Sequence, residues 1–186
     1  LVEAAATRLA DERGAFRADQ FHLAGNPRAH EDTTGAELWE QSGGTIDVFC
    51  DFVGTGGTFA GVAAHLKARN PSVSCHVVEP VGAAVLAGGG VTDARHRIQG
   101  GGYAMRTLPV LDDGLVDGYV AVRDDDAIGG ARRLARREGI FAGFSAGACL
   151  VAAETLLRGE HPGATVAIVL ADSGMKYLST DLWPRD

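Results

Sequence analysis

The stretch "TIDVFCDFVGTGGTFAGVAAHLKARN", residues 45–70, joins two different apolar patterns through a glycine-rich turn. Its first part, "TIDVFCDFV", is a continuous apolar run broken only by acids, which is typical of a strand buried on both faces. From Gly56 onward, apolar residues recur at helical spacing until Asn70 and Pro71, which are helix stop signals. The stretch therefore predicts a buried strand, a tight turn and a helix.

The same alternation of strands and helices continues on both sides. Further strands are predicted in 72–80, 117–122 and 165–174, and further helices in 1–13, 124–138 (with Asp124 as N-cap and Gly139 beyond) and 145–159. The polar stretch 19–44 is predicted to be irregular, with at most a short helix in 35–41. Continuous apolar strands separated by helices predict an α/β fold, a three-layer sandwich with a mostly parallel sheet.

Composition excludes several classes of function. The chain has 186 residues, is 46% hydrophobic and carries a net charge of −7, so nucleic acid is not an expected partner. Its three cysteines, Cys50, Cys75 and Cys149, lie in apolar runs without metal-ligand spacing, which favours buried thiols in a reducing compartment. No apolar stretch approaches the length of a membrane helix, and we expect a cytoplasmic protein that binds no membrane.

The glycine-rich turn has the features of a phosphate site. Gly54, Gly56 and Gly57 lack the side chains that would keep an anion away from the amides of a helix N-terminus. Thr55 and Thr58 add hydroxyl donors. A Walker loop and a spaced GxGxxG fingerprint are both absent, and the alternative is a tight turn that merely requires glycine.

A second glycine-rich turn, "GFSAG" at residues 143–147, places Ser145 at the start of a helix. Ser145 could act as an ordinary N-cap or face a ligand. The stretch also matches the GxSxG pattern of serine hydrolases, for which His161 would be the base and Glu154 or Glu160 the acid. The hydrolase hypothesis is disfavoured because both acids lie within a few residues of His161 on the same local element, and not on separate strand ends.

Several long stretches together resemble one enzyme family. They are "HEDTTGAELWEQSGGTIDVFCDFVGTGGTFAGV", "HVVEP", "HRIQGGGYAM", "ARRLARREGIFAGFSAGA" and "ADSGMKYLST". Their order and spacing resemble the cysteine synthase (O-acetylserine sulfhydrylase) and cystathionine β-synthase family. These are fold type II pyridoxal-phosphate enzymes with a fold similar to the β subunit of tryptophan synthase, and the likeness runs through nearly all of the chain.

The resemblance implies roles for the predicted site residues. The cofactor, pyridoxal 5′-phosphate, would be held by its phosphate at Gly54, Thr55, Gly56, Gly57 and Thr58. Ser145 matches the serine that hydrogen-bonds the pyridine nitrogen, where a neutral hydroxyl leaves that nitrogen unprotonated and suits β-elimination and replacement. Gln20 matches a glutamine that helps hold the substrate carboxylate. Gly100 matches a glycine on the substrate side, although both could be ordinary loop residues.

The chain also departs from the family pattern. The family's Schiff-base lysine and its substrate-carboxylate loop, Ser/Thr-Ser/Gly-Asn-Thr, lie in an N-terminal segment, and neither is found in this sequence. The two lysines are Lys67, too far along its helix from the turn, and Lys176, which we expect to be a surface residue. No catalytic residue is therefore assigned within this chain. Asp172 stands where cysteine synthases usually show serine, as in cystathionine β-synthases.

The resemblance implies an organisation and a reaction. Residues 1–13 would be the last helix of a smaller domain, and residues 14–186 the C-terminal part of the larger, cofactor-binding domain, with the N-terminal part missing. The intact protein would be a homodimer that replaces the β-substituent of O-acetylserine or serine by sulfide or another thiol, as in cysteine biosynthesis. The alternative is a non-catalytic relative that acts as a binding or partner protein.

Overall fold

A computed structural model describes residues 2–183, and a four-stranded parallel sheet forms its centre. The helices are α1 Val2–Arg13, α2 Gly25–His30, α3 Ala36–Gln41, α4 Gly57–Arg69, α5 Asp124–Arg133 and α6 Phe144–Arg158, and the strands are β1 Val48–Phe52, β2 Ser74–Pro80, β3 Gly118–Val122 and β4 Val166–Ile168. The strand order is β3-β2-β1-β4 with every pair parallel. The predicted α/β fold is confirmed, and Leu1 of the predicted first helix lies outside the described residues.

Two hydrophobic cores cover the two faces of the sheet. Val48, Cys50 and Phe52 point from β1 into one core, which α5 and α6 complete. Phe49 and Val53 point to the opposite face, into a core that is completed mainly by α4. This alternation along a single buried strand explains why β1 reads as a continuous apolar run, and it produces the predicted three layers.

The segment predicted to be irregular is instead largely helical. Helices α2 and α3 are joined by one π-helical turn, Glu31–Gly35, so the chain is helical from residue 25 to residue 41. The segment lies against α4 at unusually short distance: a Cβ on Gly61 would lie 2.1 Å from the carbonyl oxygen of Pro27. Packing against α4, rather than local propensity, therefore stabilises these helices, which explains the wrong prediction.

The N-caps of α4 and α5 agree only in part with those predicted from the sequence. The sequence places the cap of α4 near Thr55 or Gly56; it is Gly56, whose φ of 87° is a conformation that favours glycine. Asp124 was predicted as the N-cap of α5, but the N-cap is Arg123 and Asp124 is the first helical residue. The Asp124 carboxylate instead accepts a hydrogen bond from the backbone amide of Arg97, at 2.8 Å.

Helices α5 and α6 cross at a pair of glycines. A Cβ on Gly147 would lie 1.9 Å from the carbonyl oxygen of Ala127, and one on Gly130 would lie 2.5 Å from the carbonyl oxygen of Gly147. Any side chain larger than hydrogen would push the helices apart. The two glycines therefore fix where α6 lies on the sheet, and with it the position of its N-terminus.

We expect Gly147→Ala to lower the free energy of unfolding by about 1–3 kcal/mol, because the added methyl group overpacks the crossing of α5 and α6. The matched control is Gly129→Ala on α5, where the nearest atom to a new Cβ is the end of the Arg133 side chain at 3.7 Å. This control should stabilise the protein by roughly 0.5–1 kcal/mol, since alanine is the better helix former. Urea denaturation measures both, and equal effects would contradict the proposed crossing.

Candidate functional site

A cavity of about 300 Å³ lies at the carboxyl end of β1, between the N-termini of α4 and α6. All the residues singled out from the sequence line it: Gln20, Gly54, Thr55, Gly56, Gly57, Thr58, Gly100 and Ser145. Asp51, Tyr103, Asp172 and Lys176 line the same space. The structure thus brings together residues from five separate parts of the chain at the sheet edge where ligands of parallel α/β proteins bind.

The turn before α4 presents backbone amides to this cavity. Within residues 2–183, the amides of Gly54, Thr55 and Gly56 donate to no protein acceptor. Gly54 lies so close to the next loop that a Cβ would be 2.7 Å from the carbonyl oxygen of Gly100. Free amides at the positive end of a helix dipole form a site for an anion, and any side chain at Gly54 would disturb it.

Helix α2 holds the two threonine hydroxyls of the turn. The Asn26 side-chain amide donates to the backbone oxygen of Gln20 at 2.7 Å and to Thr55 Oγ1 at 3.0 Å. Because Thr55 Oγ1 accepts this bond, its own proton remains available to a ligand. Thr58 Oγ1 lies 3.2 Å from His30 Nε2, and burial lowers the pKa of His30, which favours the neutral ring.

Asn26 also explains why Gly57 has to be glycine. A Cβ at Gly57 would lie 2.0 Å from Asn26 Oδ1, so the two residues are in direct backbone-to-side-chain contact. Neither Asn26 nor His30 was singled out from the sequence. Both belong to the segment predicted to be irregular, and no local motif signals a contact between residues 28 or 29 positions apart.

The start of α6 forms the other side of the cavity. Gly143 is its N-cap and Ser145 is its second residue, so Ser145 is not the N-cap. Within the described residues the Ser145 hydroxyl makes no hydrogen bond. Nearby, the Tyr177 hydroxyl donates to Asp172 Oδ2, and burial beside this carboxylate raises the Tyr177 pKa far above its ordinary value. Ser145 is therefore free to bind a ligand.

The serine-hydrolase hypothesis is not supported by this geometry. Ser145 is at the first turn of α6, and His161 follows the last turn. At 1.5 Å rise per residue, the length of the helix separates them by roughly 20 Å. The ring of His161 packs edge-on against that of His76, with centroids 5.4 Å apart. His161 is therefore out of reach of Ser145, and the triad considered from the sequence does not form.

The two lysines differ in their position relative to the cavity. Lys67 Nζ lies outside it, 2.6 Å from Asp117 Oδ2 and 3.0 Å from the carbonyl oxygen of Val73. Lys176 is at the cavity rim with 68% of its side chain exposed, and its Nζ lies 3.9 Å from Asp172 Oδ2. Both amines thus lie beside carboxylates.

Asp51 is a buried carboxyl in the cavity wall that the sequence analysis did not single out. It is 6% exposed, and burial raises its pKa to about 7. The backbone amide of Phe52 and the thiol of Cys149 offset part of this rise in pKa, with 3.9 Å between Cys149 Sγ and Asp51 Oδ1. Burial likewise raises the pKa of Cys149, so this sulfur remains a thiol.

Residues 2–183 offer neither a cluster of metal ligands nor a membrane-spanning helix. No three His, Cys, Asp or Glu side chains in that range are grouped as a metal ion would require. In the same range, no helix combines the length and the hydrophobicity needed to cross a bilayer. The cavity between α4 and α6 therefore remains the strongest candidate for a functional site.

The fold and the site define a class: α/β proteins that bind a phosphate-bearing small molecule where helix N-termini meet the edge of a parallel sheet. The sequence model of the family described as "Pyridoxal-phosphate dependent enzyme" matches residues 1–172. The chain therefore belongs to this family of pyridoxal-phosphate dependent enzymes.

Curated relatives are cysteine synthases. That of Staphylococcus aureus (strain Mu50 / ATCC 700699) is 40% identical over 183 residues, which are 97% of this chain and 58% of the relative. Cysteine synthase A of Salmonella typhi is 40% identical over 172 residues, 88% of this chain and 53% of the relative. The chain thus spans little more than half the length of the curated relatives it matches.

Solved structures similar to this chain are enzymes with related names. The O-acetyl serine sulfhydrylase isoform 3 of Entamoeba histolytica has a TM-score of 0.89 at 34% identity, covering 97% of this chain and 53% of that one. The O-acetylserine dependent cystathionine beta-synthase of Helicobacter pylori has a TM-score of 0.85 at 31% identity, covering 96% and 57%. The resemblance inferred from the sequence is confirmed, and the non-catalytic alternative gains no support from these relatives.

The raised pKa of Asp51 predicts a pH dependence of stability. Between 3.8 and about 7 the folded carboxyl keeps a proton that the unfolded chain has lost. In that window Asp51 therefore makes the free energy of unfolding fall as pH rises, by at most about 1.4 kcal/mol per pH unit. Asp51→Asn should remove this decline, and urea denaturation at several pH values without ligand measures it.

The control for this experiment is Asp11→Asn on the exposed helix α1, which has no buried residues. It should keep the pH profile of the parent. If Asp51→Asn also keeps that profile, the carboxyl is not protonated by burial in the folded protein.

Proposed function

We propose that the intact protein binds pyridoxal 5′-phosphate in this cavity and catalyses β-replacement on O-acetylserine or serine with sulfide or another thiol. The observation that carries the proposal is the row of unpaired amides from Gly54 to Gly56 at the start of α4. Their donor set fits a phosphate, because each presents an N–H group and none of them is bonded within the described residues. The relatives' names support the reaction class.

The residues of this chain would each bind one part of the cofactor or substrate. The turn would hold the phosphate through its amides and the Thr55 proton, with Thr58 fixed by His30. Ser145, unbonded at the second position of α6, would donate to the ring nitrogen. Bound pyridoxal phosphate supplies an electron sink for the charge that develops when the substrate loses its α-proton.

The substrate side would be formed by Gln20 and Gly100. Gln20 is an exposed residue at the cavity edge, and its backbone oxygen is held by the Asn26 side chain. Gly100 lies directly over Gly54 with a φ of 98°. We place the amino-acid carboxylate here because the amide side chain of Gln20 can donate to it from the open end of the cavity.

We further propose that a segment outside this sequence provides the Schiff-base lysine. Lys67 lies outside the cavity and is paired with Asp117, and Lys176, at the cavity rim, has an exposed side chain. Strand β4 pairs with β1 along one edge, and within the described residues no strand pairs with its other edge, although its side chains are apolar and half-buried. Such an edge is a position at which another part of an intact protein can pack.

The burial of residues in this chain also bears on how the intact protein is organised. Helix α1 has no buried residues, which supports the proposal that residues 1–13 belong to a smaller domain and residues 14–186 to the larger one. The three buried free cysteines support a reducing, cytoplasmic location. We propose a homodimer on the basis of the family resemblance alone.

For the phosphate site, we expect Thr55→Val to weaken binding of pyridoxal 5′-phosphate roughly 10- to 100-fold. The reason is the loss of one hydrogen bond to a charged group, worth about 1.5–3 kcal/mol. Affinity for pyridoxal, which has no phosphate, should change little. Fluorescence titration of the intact protein measures both ligands.

The control is Thr33→Val, since the Thr33 hydroxyl is exposed and bonds only to the carbonyl oxygen of Ala29. This variant should bind both ligands like the parent. An equal loss of affinity for pyridoxal and its phosphate in Thr55→Val would show that the turn does not hold the phosphate.

For the reaction, we expect the intact protein to convert O-acetylserine and sulfide into cysteine and acetate. Borohydride reduction with the cofactor bound, followed by peptide mass spectrometry, should place the cofactor on a lysine outside these 186 residues. An adduct on Lys67 or Lys176 would contradict the proposed anchor. If cysteine forms from neither O-acetylserine nor serine, the proposed reaction is contradicted.

A further inference from the structure

His30 lies between two threonine hydroxyls, one of which belongs to the wall of the cavity. Its Nε2 atom is 3.2 Å from Thr58 Oγ1, and its Nδ1 atom is 3.0 Å from Thr34 Oγ1. Within residues 2–183 neither hydroxyl makes another hydrogen bond to the protein. Thr34, His30 and Thr58 therefore form a chain of two hydrogen bonds that leads to the first turn of α4, at the cavity.

A π-helical turn and close packing hold His30 in this position. The turn, Glu31–Gly35, starts directly after His30 and contains Thr34. Such turns are rare and occur frequently at functional sites. The segment is also pressed against α4, since a Cβ on Gly61 would lie 2.8 Å from the Cβ of His30. Gly61 and Thr58 are three residues apart on one face of α4, so this packing holds the His30 ring beside Thr58.

The direction of the two hydrogen bonds depends on which ring nitrogen carries the proton. Burial lowers the pKa of His30, so near pH 7 the ring is neutral, with one nitrogen donating and the other accepting. With the proton on Nδ1, Nε2 accepts the Thr58 hydroxyl proton, and Thr58 presents only lone pairs to the cavity. With the proton on Nε2, Thr58 Oγ1 accepts it and keeps its own proton for a ligand.

The neighbouring hydroxyl of the turn shows which arrangement suits an anion. Asn26 precedes His30 by four residues, so both side chains lie on one face of α2. Because the Gln20 backbone oxygen can only accept, the Asn26 atom that faces it is the nitrogen, and the same nitrogen donates to Thr55 Oγ1. Thr55 thus accepts from α2 and has a free proton. An Nε2–H group on His30 produces the same arrangement at Thr58.

We propose that His30 is a positioning residue: its Nε2–H group donates to Thr58 Oγ1 and directs the Thr58 proton to the cofactor phosphate. The Thr34 hydroxyl donates to Nδ1 and completes this arrangement. The inference rests on the proposed function, in which the turn before α4 binds a phosphate. Phosphate oxygens are strong acceptors, so a bound phosphate favours the tautomer that leaves Thr58 a proton to donate.

The first test is the ¹⁵N spectrum of the histidine side chains in the intact protein with pyridoxal 5′-phosphate bound, in which the signal missing from His30→Gln identifies His30. We expect the Nε2–H tautomer in the parent. Thr58→Val should shift the ring toward the Nδ1–H tautomer, because Nε2–H loses its acceptor. The control Thr33→Val, whose hydroxyl bonds only to the Ala29 carbonyl oxygen, should resemble the parent. An Nδ1–H ring in the parent, or no change in Thr58→Val, would overturn the assignment.

The second test compares His30→Gln with His30→Leu. The glutamine amide nitrogen can donate to Thr58 Oγ1 as Nε2 does, whereas leucine has no donor. We expect His30→Leu to weaken binding of pyridoxal 5′-phosphate roughly 3- to 10-fold and His30→Gln to bind within about twofold of the parent. Affinity for pyridoxal, measured by the same fluorescence titration, should change little. Unchanged binding in His30→Leu, equal losses in the two variants, or equal losses for the two ligands would overturn the role of His30.

The tautomer measurement keeps the inference testable if His30→Leu does not fold, because it identifies His30 with the conservative variant. The two proposals also fail differently. A parent that binds pyridoxal 5′-phosphate no better than pyridoxal refutes the phosphate site and this inference together. A parent that prefers the phosphate while His30 has its proton on Nδ1 refutes only the inference.

Discussion

Parallel pairing of β1 with both of its neighbours is the constraint on which the site depends. Because the strands run the same way, their carboxyl ends meet at one edge of the sheet, and α4 begins there directly after β1. Helix α6 precedes β4 and also begins at that edge. Two helix N-termini therefore meet at one cavity, and no long loop is needed to bring them together.

Close backbone contacts hold the two helix starts in place. At α4 the contact is between Gly57 and Asn26, and at α6 it is between Gly143 and Asp172. Each glycine allows a polar side chain from another element to approach a helix N-terminus within van der Waals distance. The glycines thus serve two purposes, since they expose amides to the cavity and admit the side chains that fix its walls.

The sequence was informative wherever the determining contacts are local. The strand, turn and helix around Gly54 follow one another within some twenty residues, so apolar periodicity and glycine placement were enough to predict both the βα unit and the anion site. Asn26 and His30 could not be found in this way. Their segment is helical because it packs on α4, and its only local signals, glycine, proline and polar residues, are those of a loop.

Asp51 was overlooked for a related reason: in a continuous apolar run, an acid reads as an interruption, and its burial becomes visible only when the packing is known. In the proposed function, the amides from Gly54 to Gly56 would hold the cofactor phosphate through hydrogen bonds to a charged group, which contribute about 1.5–3 kcal/mol each. Affinity for the phosphate would then not require a covalent bond. A covalent lysine on a separate segment would then be needed for chemistry and not for retention, which is consistent with Lys67 and Lys176 both being paired with carboxylates in this chain.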